Sequence, residues 1–220
     1  MKRVHILVEG QTEEVIATQI LRPYYAERNV HLSCSLLATK RSARGPDHKG
    51  GVTSWERMRG DIVRLLNDSS LTALTTLIDY YAFPSDAPGM ADRPPNGTSL
   101  DRVRHVECAL AEAIDNRRFI PHLVLHETEA WVLADCDRLA EVMGGPCHAL
   151  AGQVALVGGP ELVNDHPTTA PSKRIAATYQ EYRKTVDGPM VVDALGVEGV
   201  RARCPHADER LTALDRLLGI

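Results

Sequence analysis

The chain has 220 residues, 44% of them hydrophobic and 25% charged, with a formal net charge of −4 at pH 7. This size suits one large domain, or one domain with an appended lobe, and the acidic balance excludes a global basic footprint for nucleic acid, leaving local patches or metal-bridged phosphates. No apolar run approaches a membrane span, the N-terminus has no signal-peptide core, and the 5 cysteines include no CxxC pair, so the expected setting is a reducing cytoplasm with no membrane contact.

In chain order, Val4, Ile6, Leu7 and Val8 predict a buried strand with Glu9 as its last residue. Gly10 turns the chain, and Thr12 reads as the N-cap of a helix over Glu13–Arg28 that Pro23 shortens or kinks. His31–Thr39 predicts a second strand. The loop Lys40–Gly51 is the most basic segment, carrying Lys40, Arg41, Arg44 and Lys49, and reads either as solvated surface or as a phosphate-steering stretch. A capping box, Thr53-x-x-Glu56, opens a helix to about Asn67, and Leu71–Asp79 is a β-branched strand ending in an acid. Tyr80–Thr98 is long and rich in Pro, Gly and Asp, the profile of a lid or a disordered connection. Ser99 caps a helix to about Asn116, and Phe119–Leu125 is a fourth strand, followed by His126, Glu127, Thr128 and Glu129. Strands alternating with helices predict an α/β domain with a mostly parallel sheet over residues 1–130. Residues 131–220 read as a helical C-terminal extension of the same globular unit, with helices over Trp131–Met143, Ser172–Lys184 and Asp208–Leu218. Cys34 and Cys108 read as small core residues.

Glu9, Asp79, and Glu127 with Glu129 therefore end strands whose carboxyl ends share one edge in a parallel sheet, where open α/β folds keep their sites. Glu13 joins them from the first helical turn, although with Glu14 it also suits simple compensation of the helix dipole. Carboxylates gathered in this way repel one another unless a cation lies between them. Mg²⁺ or Mn²⁺, which prefer oxygen ligands, would serve, and two such ions roughly 4 Å apart suit phosphoryl transfer. Lys173, at the start of a helix, is the candidate cation for a bound phosphate; its plain reading is a surface lysine. His126 is either a ligand and proton shuttle or a structural residue, and His206, after Cys204 and Pro205, is equally open.

The segments Val8-Glu-Gly-Gln-Thr-Glu13, Ile78-Asp-Tyr-Tyr81 with Phe83-Pro84, Leu125-His-Glu-Thr-Glu-Ala130, Asn164-Asp165, Thr169–Arg174 and Cys204-Pro-His206 span almost the whole chain. Together they resemble the Toprim fold of topoisomerases, primases and overcoming-lysogenization-defect nucleases, and most of all a bacterial Toprim-like family linked to phage-defence loci. The resemblance implies a Toprim-like sheet and metal-dependent phosphodiester chemistry. On that likeness Glu9 and Glu13 match a glutamate pair, Asp79 the first Asp of an Asp-x-Asp, Glu127 and Glu129 a later acidic pair, and Lys173 a catalytic lysine, with Arg174 beside it. Tyr81 stands where the second Asp is expected, which removes one metal ligand. The expected activity is that of a Mg²⁺- or Mn²⁺-dependent nuclease acting on DNA or RNA, and the link to phage-defence loci implies an anti-phage effector. The rivals are a non-catalytic Toprim-shaped subunit docking on an ATPase and a hydrolase of small phosphate compounds.

Overall fold

The computed structural model describes residues 1–37, 54–81, 83–163 and 168–220. The basic-loop residues Lys40, Arg41, Arg44 and Lys49, the proposed cap Thr53, and Asn164 and Asp165 lie outside them.

Three strands form the centre of the sheet: β1 (Lys2–Val8), β2 (Val30–Leu36) and β3 (Ala73–Asp79), with β1 in the middle. Two short strands, β4 (Phe119–Ile120) and β5 (Leu123–Val124), extend the far side of β3. Every pairing is parallel, with Val8 opposite Leu36 and Leu77, and Asp79 opposite Val124. The fold is thus α/β with a mostly parallel sheet. Pro121 and His122 split what the sequence suggests is one strand, Phe119–Leu125, because proline has no N–H to offer a ladder.

Helices cover both faces. After β1 the chain enters α1 (Gln11–Val15), a π-helical turn over Ile16–Leu21, and α2 (Arg22–Ala26). The Arg22 N–H reaches the Ala17 carbonyl, five residues back. Then come α3 (Trp55–Leu66) and α4 (Ser99–Ile114). The C-terminal part adds α5 (Glu129–Leu133), α6 (Cys136–Met143), α7 (His148–Val157), α8 (Pro171–Thr178), α9 (Asp187–Arg203) and α10 (Pro205–Leu218). Alternation along β1 divides the core. Val4, Ile6 and Val8 pack with Ile16, Ile20, Trp131, Val192, Val200 and Leu214, whereas Leu7 packs with Leu74, Met58, Ile62, Val106 and Leu110. Each such side chain contributes roughly 1.5–3 kcal/mol when buried, and the C-terminal helices share one face of the sheet with the helical segment after β1.

Several local expectations are corrected. The N-cap of α1 is Gly10, not Thr12, and Glu13 accepts the Gly10 N–H. Thr98, not Ser99, caps α4, with its hydroxyl oxygen accepting from the Asp101 N–H. Trp131–Met143 is two helices, broken where Asp135 caps α6 through the Arg138 N–H. The uncharged stretch His148–Val157 is a helix, and α8 stops at Thr178 instead of running to Lys184. Cys108 is exposed and Cys34 half-buried. The segment after β3 is packed down rather than loose: Tyr80, Phe83, Ala87 and Met90 are buried, and Arg93 donates to the Tyr80 hydroxyl at 3.0 Å. Gly89 permits this, since its φ is +78° and a Cβ there would lie 2.8 Å from the Ala109 Cβ.

Candidate metal centre at the carboxyl edge of the sheet

Because β1, β3 and β5 run the same way, the chain leaves all three at one edge. Glu9 follows β1 directly and Asp79 ends β3. The turn after β5 is set by His126, which is fully buried with a left-handed φ of 69° and whose carbonyl accepts the Tyr81 N–H at 2.8 Å. A non-glycine residue held in that region is a strained point fixed by its surroundings. It delivers Glu127, Thr128 and Glu129 to the edge.

Thr128 joins the elements. Its N–H donates to Asp79 Oδ1 at 2.9 Å and its hydroxyl to Glu13 Oε1 at 3.0 Å. Glu13 Oε2 accepts the Gly10 N–H at 3.0 Å, so this buried carboxylate closes the first turn of α1 and faces the site together. Glu127 accepts the Ser172 N–H and hydroxyl, both at 3.0 Å, and so caps α8 and pins the C-terminal helices to the edge. Glu129 is 1% exposed, and neither of its oxygens accepts a well-directed hydrogen bond. Its counter-charge is Lys184, whose Nζ lies 2.9 Å from Glu129 Oε2 and 3.4 Å from Asp79 Oδ2.

The electrostatics follow from burial. Desolvation pushes the Asp79 carboxyl well above its usual range; Lys184 opposes the shift, and Glu13, Glu129 and Glu9 add to it. Desolvation likewise pushes Glu129 up to about 6, with Lys184 opposing and Glu127 adding. Burial works against the Lys184 ammonium, but Asp79 and Glu129 overcome it and raise its pKa. Tyr182, two residues before, is raised by burial and then by Glu129, and its hydroxyl has no hydrogen-bond partner.

The structure therefore brings Glu9, Glu13, Asp79, Glu127 and Glu129 into mutual range at one edge. It does not bring Lys173 among them. That side chain is exposed on the first turn of α8. Arg174 holds the preceding loop, donating to the Thr169 carbonyl at 2.7 Å and to Gln153 Oε1 at 2.6 Å. His206 is buried elsewhere, 3.0 Å from Glu107 Oε2, and belongs to a separate network. Tyr81 lies beside the edge through its backbone bond to His126. Sequence reasoning missed Lys184 and Thr128. A signal for Lys184 was present: Gly188 and Pro189 mark a new helix start, so the residues before them belong to a turn.

Among the described residues, no three His, Cys, Asp or Glu side chains stand ready as a ligand set for a metal ion. The donor chemistry nonetheless fits a hard divalent cation. All five groups offer carboxylate oxygens, each hydrogen-bonded oxygen keeps a second lone pair, and the Glu129 oxygens are buried with only an ammonium facing them. Among the described residues no helix is long and apolar enough to cross a membrane.

No match is found among curated proteins. Among solved structures, homoserine dehydrogenase from S. aureus shares 13% identity at a TM-score of 0.28, with 81% of this chain and 49% of that one covered. The chain thus spans about half of that protein, and a likeness at this level carries no argument about fold or chemistry. Residues 8–215 match the family model described as a domain of unknown function, DUF4276, and the chain belongs to that family.

Proposed function

We propose that the chain is a divalent-metal-dependent nuclease that hydrolyses phosphodiester bonds in DNA or RNA. The observation that carries this reading is the concentration of five carboxylates at the carboxyl edge of a parallel sheet, two of them with raised pKa values and facing one ammonium. The resemblance of its motifs to Toprim nucleases supports the same chemistry. Glu9, Glu13 and Asp79 would hold Mg²⁺ or Mn²⁺. When bound, such an ion polarises the phosphoryl oxygen and lowers the pKa of water. The remaining work falls to the chain. Lys184 offers its charge to the phosphate oxygens as negative charge grows on them. Glu129, pushed up to about 6, is suited to take a proton from the attacking water and pass it on. Exposed Lys173 sits on the turn whose Ser172 holds Glu127, and gives the polyanion a contact beside the site.

The test is cleavage of plasmid, single-stranded DNA and tRNA by purified protein with Mg²⁺ or Mn²⁺. Glu9→Gln and Asp79→Asn should each lower turnover by about 10²–10³-fold. Equal cleavage by wild type and both variants would remove the reading.

One observation favours a second reading, a non-catalytic subunit that docks on a partner such as an ATPase. Helix α7 carries no charged residue, and Leu156 on it is 88% exposed, with Val157 and Leu162 exposed nearby. Exposed apolar side chains of this kind mark contact surfaces. Metal binding without cleavage of any nucleic acid would turn the choice toward that subunit.

A further inference from the structure

We infer that Lys184 stands in for a second metal ion, so that the site works with one divalent cation per chain. The inference rests on the nuclease reading above and fixes how many ions that reaction uses.

Lys184 bridges two carboxylates brought from different elements, Asp79 at the end of β3 and Glu129 at the start of α5. Glu129 makes the position specific. It is buried, its oxygens accept no directed hydrogen bond, and the ammonium at 2.9 Å is its counter-charge. An ammonium has three donors and no acceptor. One is donated to Asp79, the charge as a whole faces Glu129 at 2.9 Å, and the side chain is 37% exposed, so a remaining N–H can reach a substrate oxygen. A bridging divalent ion would do the same three things: neutralise both acids, hold them apart, and polarise a phosphate oxygen.

The chain around Lys184 is built to keep it there. Arg183 donates its N–H to Asp187 Oδ2 at 2.7 Å and its guanidinium to Oδ1 at 2.8 Å, which closes the turn between α8 and α9 around the lysine. On the other side Tyr182 packs on Gly188, where a Cβ would lie 2.7 Å from the phenol oxygen, so only glycine admits the ring. The lysine is therefore fixed at both neighbours before any ligand arrives. Tyr81, the second residue after Asp79, has its N–H spent on the His126 carbonyl and supplies no carboxylate, so the site has one acid fewer to offer a second ion.

The experiment counts bound Mn²⁺ per chain by calorimetry and by electron paramagnetic resonance, in wild type, Lys184→Ala and Lys184→Met. The Met variant keeps the apolar stem, so that a folding defect of the Ala variant does not decide the matter; circular dichroism checks both. Wild type should bind one Mn²⁺. The Lys184 variants should bind a second, weaker ion, and their turnover, lowered by about 10²–10³-fold at limiting Mn²⁺, should recover in part as Mn²⁺ is raised. Two ions in wild type, or one in wild type and in both folded variants, would overturn the inference and leave the nuclease reading standing. No Mn²⁺ bound by wild type would instead remove the metal reading itself.

Discussion

Among the described residues, the buried charge cluster around Glu107 and the one at the sheet edge are built differently. Between α4 and α10, Glu107 accepts the Leu123 N–H at 2.8 Å and faces His206 at 3.0 Å and Arg210 at 3.6 Å. Glu161 beside it accepts the N–H groups of His206 and Ala207 at 2.8 and 3.0 Å. Every carboxylate oxygen there has a partner. At the sheet edge Asp79, Glu13 and Glu127 accept from Thr128, Gly10 and Ser172, and Lys184 faces Asp79 and Glu129, but Glu129 has an ammonium and no directed hydrogen bond. Burial penalises an ionised carboxylate in both places, and the first cluster meets that cost at every oxygen while the second leaves Glu129 without a directed donor. The first holds helices together. The second is left short of positive charge, as the cation and anionic substrate of the proposed reaction would require.

The sharpest way to break this comparison is to neutralise one acid in each cluster. Glu107→Gln should destabilise the protein by about 3 kcal/mol in urea unfolding, because His206 and Arg210 lose their buried partner. Glu129→Gln should cost under ~1 kcal/mol without metal, or stabilise. Equal costs would erase the distinction.

A somewhat smaller effect should appear with pH. The Glu129 carboxyl has a folded pKa of about 6 against an ordinary 4.5, so the fold binds its proton more tightly than the unfolded chain does. That contribution is complete below about 4.5 and is lost as pH rises through about 6, a change of about 2 kcal/mol. Asp79, also raised, acts in the same direction. The urea midpoint of metal-free wild type should therefore fall from pH 5 to pH 7.5 relative to Glu129→Gln. If the proposed metal site is right, saturating Mn²⁺ should reverse the trend, because it binds ionised carboxylates. Parallel pH curves for the two proteins would show Glu129 to be ordinary.

The smallest effect belongs to Lys173. Lys173→Ala should change stability by less than about 0.5 kcal/mol. It should raise KM for nucleic acid in a salt-dependent way while kcat stays within about threefold. A fall in kcat of about 10²-fold would make Lys173 the catalytic cation and Lys184 a structural one.

What the sequence revealed tracks how local each signal is. Apolar runs and their terminal acids identified the parallel sheet and the edge where Glu9, Asp79 and Glu127 lie, because the order of strands and helices leaves few topologies. Lys184 was hidden. Its residue type and spacing look like the end of a surface helix, and only the early stop of α8 at Thr178 and the Arg183–Asp187 turn bring it inward. Thr128 was hidden for the same reason, since its two hydrogen bonds join residues 49 and 115 positions away. Lys173 misled because Pro171 just before it advertises a helix start, and a helix start suits phosphate whether or not the side chain points at one.

The distance along the chain between Asp79 and Lys184 has a consequence for synthesis. They are 105 residues apart, and at ~5–20 residues per second a ribosome needs about 5–20 s to pass from one to the other. Over that interval the edge exists at most as unbalanced carboxylates, and the face of β1 made by Val4, Ile6 and Val8 still lacks α9 and α10. The last helix closes the structure when Asp215 takes the Tyr25 hydroxyl at 2.9 Å and Lys2 reaches the Leu218 carbonyl. The carboxylates at the edge thus stay without their ammonium, and β1 without the cover of α9 and α10, until those later segments are made.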